Sequence, residues 1–283
     1  VTARELVRHG AQVVLACRNV EKGATASAAI SDEVPGGQVH VMPLDLTRLE
    51  SVRAFASAFA AAYPRLDVLV NNAGVMATPR LLTADGFEHQ LGTNFLGHFA
   101  LTGELLPRLL ASPSPRVVSL TSTFASLGSI SFEDLQLERR YNRWTAYGRS
   151  KLAVLLFAYE LDRRAKAAGV PLTSVAAHPG YANTSLQTTG VADSRLLRAN
   201  FAVSNRFFAQ TPLMGALPSL AAATVPGLPG GSFVGPESMV GYRGCPALVS
   251  PPKSARDADL AARLWLTAEE LTAVRVSFAN SRA

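Results

Sequence analysis

Cysteine, lysine and long apolar runs are scarce in this chain of 283 residues, and each shortage excludes something. The two cysteines, Cys17 and Cys245, stand far apart and match no metal or redox spacing. A disulfide framework is therefore not expected, and a reduced, cytoplasmic compartment is. No signal-peptide pattern is visible. No apolar run approaches the ~18–20 residues that a membrane span needs. Of the 27 basic residues only Lys22, Lys151, Lys166 and Lys253 are lysines, so the net charge of +6 is mostly arginine. These charges are scattered, with no run longer than Arg139-Arg140 or Arg163-Arg164. A nucleic-acid footprint needs them clustered on one face, and none is expected. His40, His89 and His98 show no ligand spacing such as His-x-x-x-His, so no metal site is expected either.

What is present is ample for a core: 48% of the residues are hydrophobic. Short β-branched runs alternate with longer helical ones. Strands are expected over Gln12–Cys17, Val39–Met42, Leu66–Val70, Arg116–Ser122 and Val170–Ala177. Helices are expected near Val20–Ile30, Leu49–Ala62 (capped by Thr47), Gly86–Leu110, Tyr147–Ala168, Gly215–Val225 and Ala255–Leu266. Ser232-Phe233-Val234 reads as a last short strand, and the Pro/Gly-rich stretch Pro226–Pro252 as a connection. This order predicts an α/β fold with a parallel sheet covered on both faces. Right-handed crossovers then put the strand C-termini on one edge, where open α/β sheets bind ligands. Arg18, Asp45, Asn72, Ser122 and Pro179-Gly180 all fall just past strand ends.

Within Tyr147-Gly148-Arg149-Ser150-Lys151, a tyrosine and a lysine are four residues apart at the start of a helix. That spacing puts both on one face, one turn apart. A free phenol has a pKa near ~10 and is a poor proton donor or acceptor at neutral pH. A fixed cation beside it favours the phenolate and brings that value down. Alone the spacing is a weak motif.

The full set of motifs is stronger. Asn71-Asn72-Ala73-Gly74 follows a strand, Asn94 sits in Thr93-Asn94-Phe95-Leu96-Gly97-His98-Phe99, Ser122 follows a strand, and Pro179-Gly180 is followed by Thr184. With Tyr147-x-x-x-Lys151, in this order, the chain resembles the short-chain dehydrogenase/reductase family along nearly its whole length. Leu15-Ala16-Cys17-Arg18-Asn19, Ala177-His178-Pro179-Gly180-Tyr181, Phe233-Val234-Gly235-Pro236 and Arg263-Leu264-Trp265 look like its retinol-dehydrogenase-like branch.

The resemblance implies a Rossmann-like doubly wound parallel sheet in one domain over 1–283, and an oxidoreductase interconverting an alcohol and a carbonyl. Tyr147 is then the general acid or base, and Lys151 tunes it and holds the nicotinamide ribose. Ser122 bonds the substrate oxygen, and Asn94 holds a water linking Lys151 to solvent. Asn72, Ala73, Gly74, Pro179, Gly180 and Thr184 line the cofactor, with Asp45 and Leu46 at the adenine. His178 occupies a variable position and is expected to have no catalytic role. Trp144 and Tyr141 shape the pocket wall.

NAD-preferring sites hold the ribose 2′-hydroxyl with a carboxylate at the end of the second strand, while an arginine accommodates a 2′-phosphate. Here that end reads Ala16-Cys17-Arg18, so NADP is expected rather than NAD. Residues 185–215, with Phe201, Phe207 and Phe208, are expected to form the substrate lid, which implies a small apolar alcohol or carbonyl. Homodimer and monomer both stay open. An epimerase or dehydratase sharing Tyr-x-x-x-Lys fits less well, because only about 100 residues follow Pro179.

One departure stands out. The family's glycine-rich turn, Thr-Gly-x-x-x-Gly-x-Gly, is absent, as is the strand before it. By register, Val1–Arg4 matches the middle of the helix after that turn. The expectation is an N-terminally incomplete sheet lacking its first strand, with weakened pairing on either side. A catalytically silent chain unable to bind cofactor is the alternative reading.

Overall fold

The computed structural model describes residues 1–180, 210–238 and 241–278. In chain order it runs α1 (Thr2–Arg8), β1 (Val13–Cys17), α2 (Val20–Glu33), β2 (Val39–Pro43), α3 (Leu49–Ala62) and β3 (Val68–Asn71). A single turn, α4 (His89–Leu91), passes through a π-helical turn (Gly92–Leu96) into α5 (Gly97–Leu110). Then follow β4 (Arg116–Leu120), α6 (Arg143–Ala167), β5 (Thr173–Ala177), α7 (Pro212–Thr224), β6 (Phe233–Ser238), β7 (Arg243–Leu248) and α8 (Ala258–Thr272). The fold is α/β, with a mostly parallel sheet and flanking helices.

The strands form two hydrogen-bonded pieces. β1 and β2 pair in parallel. The second piece has the order β3-β4-β5-β6-β7, parallel except for β7, which closes it antiparallel. Among the described residues no strand pairs with the open edge of β1 or of β3. β1 is only half-buried throughout and β3 over Val68–Val70, whereas four of the five residues of β4 are buried. The Asn71 Oδ1 at the end of β3 is buried without a partner. Unpaired backbone along such edges costs stability unless water reaches it.

Helix α6 is the platform for the site. Its segment Leu152–Ala158 is buried all round, as a helix must be when it is apolar on every face. Phe157 of α6 packs edge-on to Phe99 of α5 (centroids 5.7 Å apart) and stacks on Trp265 of α8 (5.9 Å). Phe99 and Trp265 meet at 5.1 Å. Such pairs add about 0.5–1.5 kcal/mol each beyond burial, and here they fix three helices against one another. At the N-terminus Asn142 Oδ1 caps α6, accepting from the N–H groups of Trp144 (2.9 Å) and Thr145 (3.1 Å).

Three local expectations are corrected. The stretch Pro226–Pro252 contains β7, hidden in sequence because Gly244 and Pro246 break any apolar alternation; an edge strand tolerates them. Thr47 does not cap α3: its hydroxyl donates to Asp45 Oδ1 (2.7 Å), and Asp85 Oδ2 accepts from the Leu49 N–H (2.8 Å) instead. The expected helix over 86–110 starts at His89 and contains the π turn, in which Gly97 N–H reaches the Gly92 carbonyl.

Candidate active site

The parallel strands deliver their C-terminal ends to one edge, and the sequence-predicted residues follow those ends. Arg18 comes directly after β1, Asp45 after β2, Asn72 after β3, Ser122 after β4 and Pro179 after β5. Arg18 and Asp45 both act electrostatically on His89, at the start of α4, which ties the smaller sheet's end to the helix carrying Asn94.

Tyr147 is 4% exposed, and the Ser122 hydroxyl acts on its phenol. Ser122 reaches it because the loop after β4 lies directly on α6. A Cβ at Gly128 would stand 2.3 Å from the Gly148 carbonyl oxygen, so only glycine allows that approach. The buried Arg149 pins the following segment, donating to the carbonyls of Ser129 (3.0 Å), Asp134 and Leu135 (3.0 Å).

Lys151 is also 4% exposed, and its Nζ donates to the Leu120 carbonyl at 2.9 Å. An ammonium carries three donors, so two remain for a ligand. Burial lowers the Lys151 pKa to about 8. Nζ lies 5.9 Å from the centre of the Tyr147 ring. The expectation that this cation brings the phenol down is corrected. Burial pushes the Tyr147 pKa up, and the Ser122 hydroxyl opposes it only in part. The phenol is thus firmly protonated at neutral pH.

Asn94 is fully buried. Its Oδ1 accepts from Val75 N–H (2.7 Å), and its Nδ2 donates to the Val75 carbonyl (2.9 Å) and to Ser150 Oγ (2.9 Å). Ser150 Oγ donates to the Tyr147 carbonyl (2.8 Å). Thr121 Oγ1 donates to the Lys151 carbonyl (2.7 Å). Ser150 and Thr121, which no motif singles out, therefore fix the helix turn that carries the tyrosine and lysine. Gly74 closes this cluster: a Cβ there would lie 3.0 Å from Asn94 Oδ1 and 3.4 Å from Lys151 Nζ.

Of the residues expected to line a cofactor, Arg18, Asn72 and Ala73 are exposed, and Asp45 is half-buried with Oδ1 engaged by Thr47. Leu46 is buried in the main core. Pro179-Gly180 is held firmly. Gly180 has φ +66° and its N–H donates to His178 Nδ1 (3.3 Å), while Gln210 Nε2 donates to the Pro179 carbonyl (3.0 Å). Thr184 and most of the expected lid, 185–209, lie outside the described residues.

Beside Tyr147 stands an apolar wall of Met76, Ala77, Phe124 and Trp144. Phe124 stacks on Trp144 (5.6 Å) and meets Tyr147 edge-on (5.6 Å). Buried Gln90 supports it, accepting from Ala77 N–H (2.8 Å) and donating to Tyr141 Oη (3.0 Å) and the Arg143 carbonyl (3.0 Å). Tyr141 thus braces the wall from behind, with its own hydroxyl donating to the Thr78 carbonyl (2.9 Å).

Known proteins are similar to this chain. The short chain dehydrogenase family model matches residues 1–194. Human retinol dehydrogenase 12 is 43% identical over 274 residues, 97% of this chain and 82% of that protein. Human retinol dehydrogenase 13 is 38% identical over 272 residues, 95% of this chain and 80% of that protein. A crystal structure of an uncharacterized protein from Mycobacterium paratuberculosis superposes with a TM-score of 0.79 at 45% identity, over 98% of this chain and 90% of that one. No helix among the described residues is long and apolar enough to cross a membrane. A match that runs from α1 past β5 takes in every strand end described above, and the chain belongs to the short-chain dehydrogenase family, on its retinol-dehydrogenase-like branch.

Proposed function

We propose that this oxidoreductase interconverts an alcohol and a carbonyl on a lipophilic small molecule, with NADP as the hydride carrier. The observation that carries the reading is the buried pair at the start of α6: a protonated phenol under the influence of the Ser122 hydroxyl, and an ammonium with two spare donors. That ammonium, the open approach at Gly74 and the rigid Pro179-Gly180 turn fit a nicotinamide and its ribose, and exposed Arg18 fits a 2′-phosphate. When bound, the dinucleotide supplies the hydride. Tyr147 gives its proton to the forming alkoxide and takes it back in oxidation. Ser122 stabilises the negative charge that grows on that oxygen. Lys151 holds the ribose hydroxyls, and Asn94 keeps the β3 loop in place beside it. A raised phenol pKa keeps Tyr147 protonated at neutral pH, so a proton is in place for an alkoxide, which is a far stronger base. The wall of Met76, Phe124 and Trp144 supports an apolar substrate.

Arg18 provides the cofactor prediction. No carboxylate ends β1, so a 2′-phosphate meets a guanidinium and no like charge. Arg18→Asp is expected to weaken NADPH relative to NADH by about 10- to 100-fold, the worth of one charged hydrogen bond. Titration with both cofactors checks it; an unchanged ratio, or NADH preference in the parent chain, refutes the assignment.

A second reading, a chain that keeps the candidate groups without holding the dinucleotide, is separated from the first by cofactor binding. Binding at ~100 Kd stabilises a fold by about 2.7 kcal/mol, or roughly 5–10 °C. NADPH that raises the melting temperature by that amount supports the enzyme reading. No shift at millimolar NADPH supports the silent one.

A further inference from the structure

One buried imidazole beside the proposed machinery has no role in it. His98 follows Asn94 by one helical turn and is 5% exposed. Its Nδ1 lies 2.9 Å from the Asn94 carbonyl oxygen. A carbonyl only accepts, so Nδ1 carries the proton. Burial, reinforced by the charge of Lys151, lowers the His98 pKa to about 4, which keeps the ring neutral near pH 7.

The surroundings explain why that carbonyl needs holding. Asn94 sits in the π turn, a helical irregularity that local sequence rarely sustains unaided. Its amide leaves the helix to bond Val75 and Ser150. Gly97, at the end of the turn, packs so closely that a Cβ would stand 2.5 Å from the Leu46 carbonyl oxygen. The carbonyl of His98 accepts from Thr102 Oγ1 (2.7 Å), which accepts from Asn71 Nδ2 (3.0 Å) at the end of β3. Asn94 is therefore fixed from two sides, by its amide toward α6 and by its main chain through His98 toward β3.

We propose that His98 is a positioning residue, whose Nδ1–H anchors the π turn so that the Asn94 amide stays locked to Val75 and Ser150 beside Lys151. The proposal rests on the oxidoreductase reading for its effect on rate, but not for the contact itself. Three variants and one spectrum test it. His98→Phe keeps the ring's bulk and loses the donor; it is expected to lower kcat by up to about 100-fold, the scale of a misplacement of about 1 Å. KM and the Kd for NADPH should stay within about twofold, and the melting temperature should hold. His98→Asn puts an amide N–H where Nδ1 stands and should recover most of kcat; His98→Leu should not. Full activity in His98→Phe, or His98→Asn no better than His98→Leu, overturns the proposal. Nitrogen-15 NMR of the imidazole decides the contact even in a chain without turnover. A neutral Nδ1–H tautomer at pH 7 is expected, and the Nε2–H tautomer or a charged ring contradicts it. A parent chain that shows the expected tautomer but no NADPH binding would defeat the functional reading and leave the contact standing.

Discussion

Tyr147→Phe is expected to lower kcat by about 10²- to 10⁴-fold, the usual worth of a positioned general acid. The substitution removes one oxygen from a residue that is 4% exposed and leaves the ring in its contacts with Phe124 and the Met76–Ala77 wall. Lys151 keeps its bond to the Leu120 carbonyl, and Ser150 keeps its bond to the Tyr147 backbone. NADPH affinity should therefore change little, and the loss should fall on kcat rather than on KM. The Ser122 hydroxyl keeps accepting from the Phe124 N–H (3.3 Å), so the loop survives. Steady-state kinetics on the pair of proteins checks this. Near-parental turnover in Tyr147→Phe would remove the phenol from the reaction.

The second large effect is on stability in acid. His98 and His178 are 5% and 3% exposed, and burial lowers each from 6.5 to about 4. Between those values the unfolded chain binds protons that the folded chain refuses, so the unfolding free energy falls as the pH drops. Above 6.5 both states hold neutral rings and the effect vanishes. Each ring contributes about 1.4 kcal/mol per pH unit in the window, so the two remove roughly 5 kcal/mol between pH 7 and 4.5. His89, also lowered by burial, adds in the same direction. Buried Glu88, whose pKa is raised, opposes them, because the folded chain takes up its proton first as the pH falls toward 4.5. A loss of this size rivals the whole stability of an ordinary domain. Urea unfolding from pH 7 to 4.5 should show the midpoint falling steeply below pH 6.5, and a flat profile contradicts the burial of neutral histidines.

The placement of the candidate residues was legible in sequence wherever it depends on short-range geometry. Tyr147 and Lys151 share a helix face by their spacing, and Ser122, Asn72 and Pro179 follow strands whose apolar runs are unmistakable. What needed the structure depends on distant partners. Ser150 meets Asn94 across 56 positions, and Gln90 meets Arg143 across 53. No periodicity signals such contacts. The π turn at Gly92–Leu96 shifts the helix register by one residue, which hydrophobic patterning over 86–110 does not reveal. β7 was hidden by Gly244 and Pro246, and the Thr47 cap failed because Asp85, brought in by the fold, supplies a better acceptor. The direction of the Tyr147 shift was also misread. The motif displays the lysine's charge but not the depth of burial, and burial prevails.

The candidate groups belong to the π turn, α6 and the loops after β3 and β4, and the aromatic packing of Phe99, Phe157 and Trp265 fixes α5, which continues the π turn, against α6 and α8. Reactivity and the binding of the proposed dinucleotide are separate tests.

Isotope transfer addresses both at once. The purified chain is given NADPH carrying deuterium at both C4 positions of the nicotinamide and a long-chain aldehyde, and the alcohol formed is weighed by mass spectrometry. The account predicts one deuterium on the carbinol carbon, with transfer abolished to within about 10⁻²–10⁻⁴ of the parent rate in Tyr147→Phe. An alcohol without deuterium, or no alcohol from a chain that demonstrably binds NADPH, would contradict it.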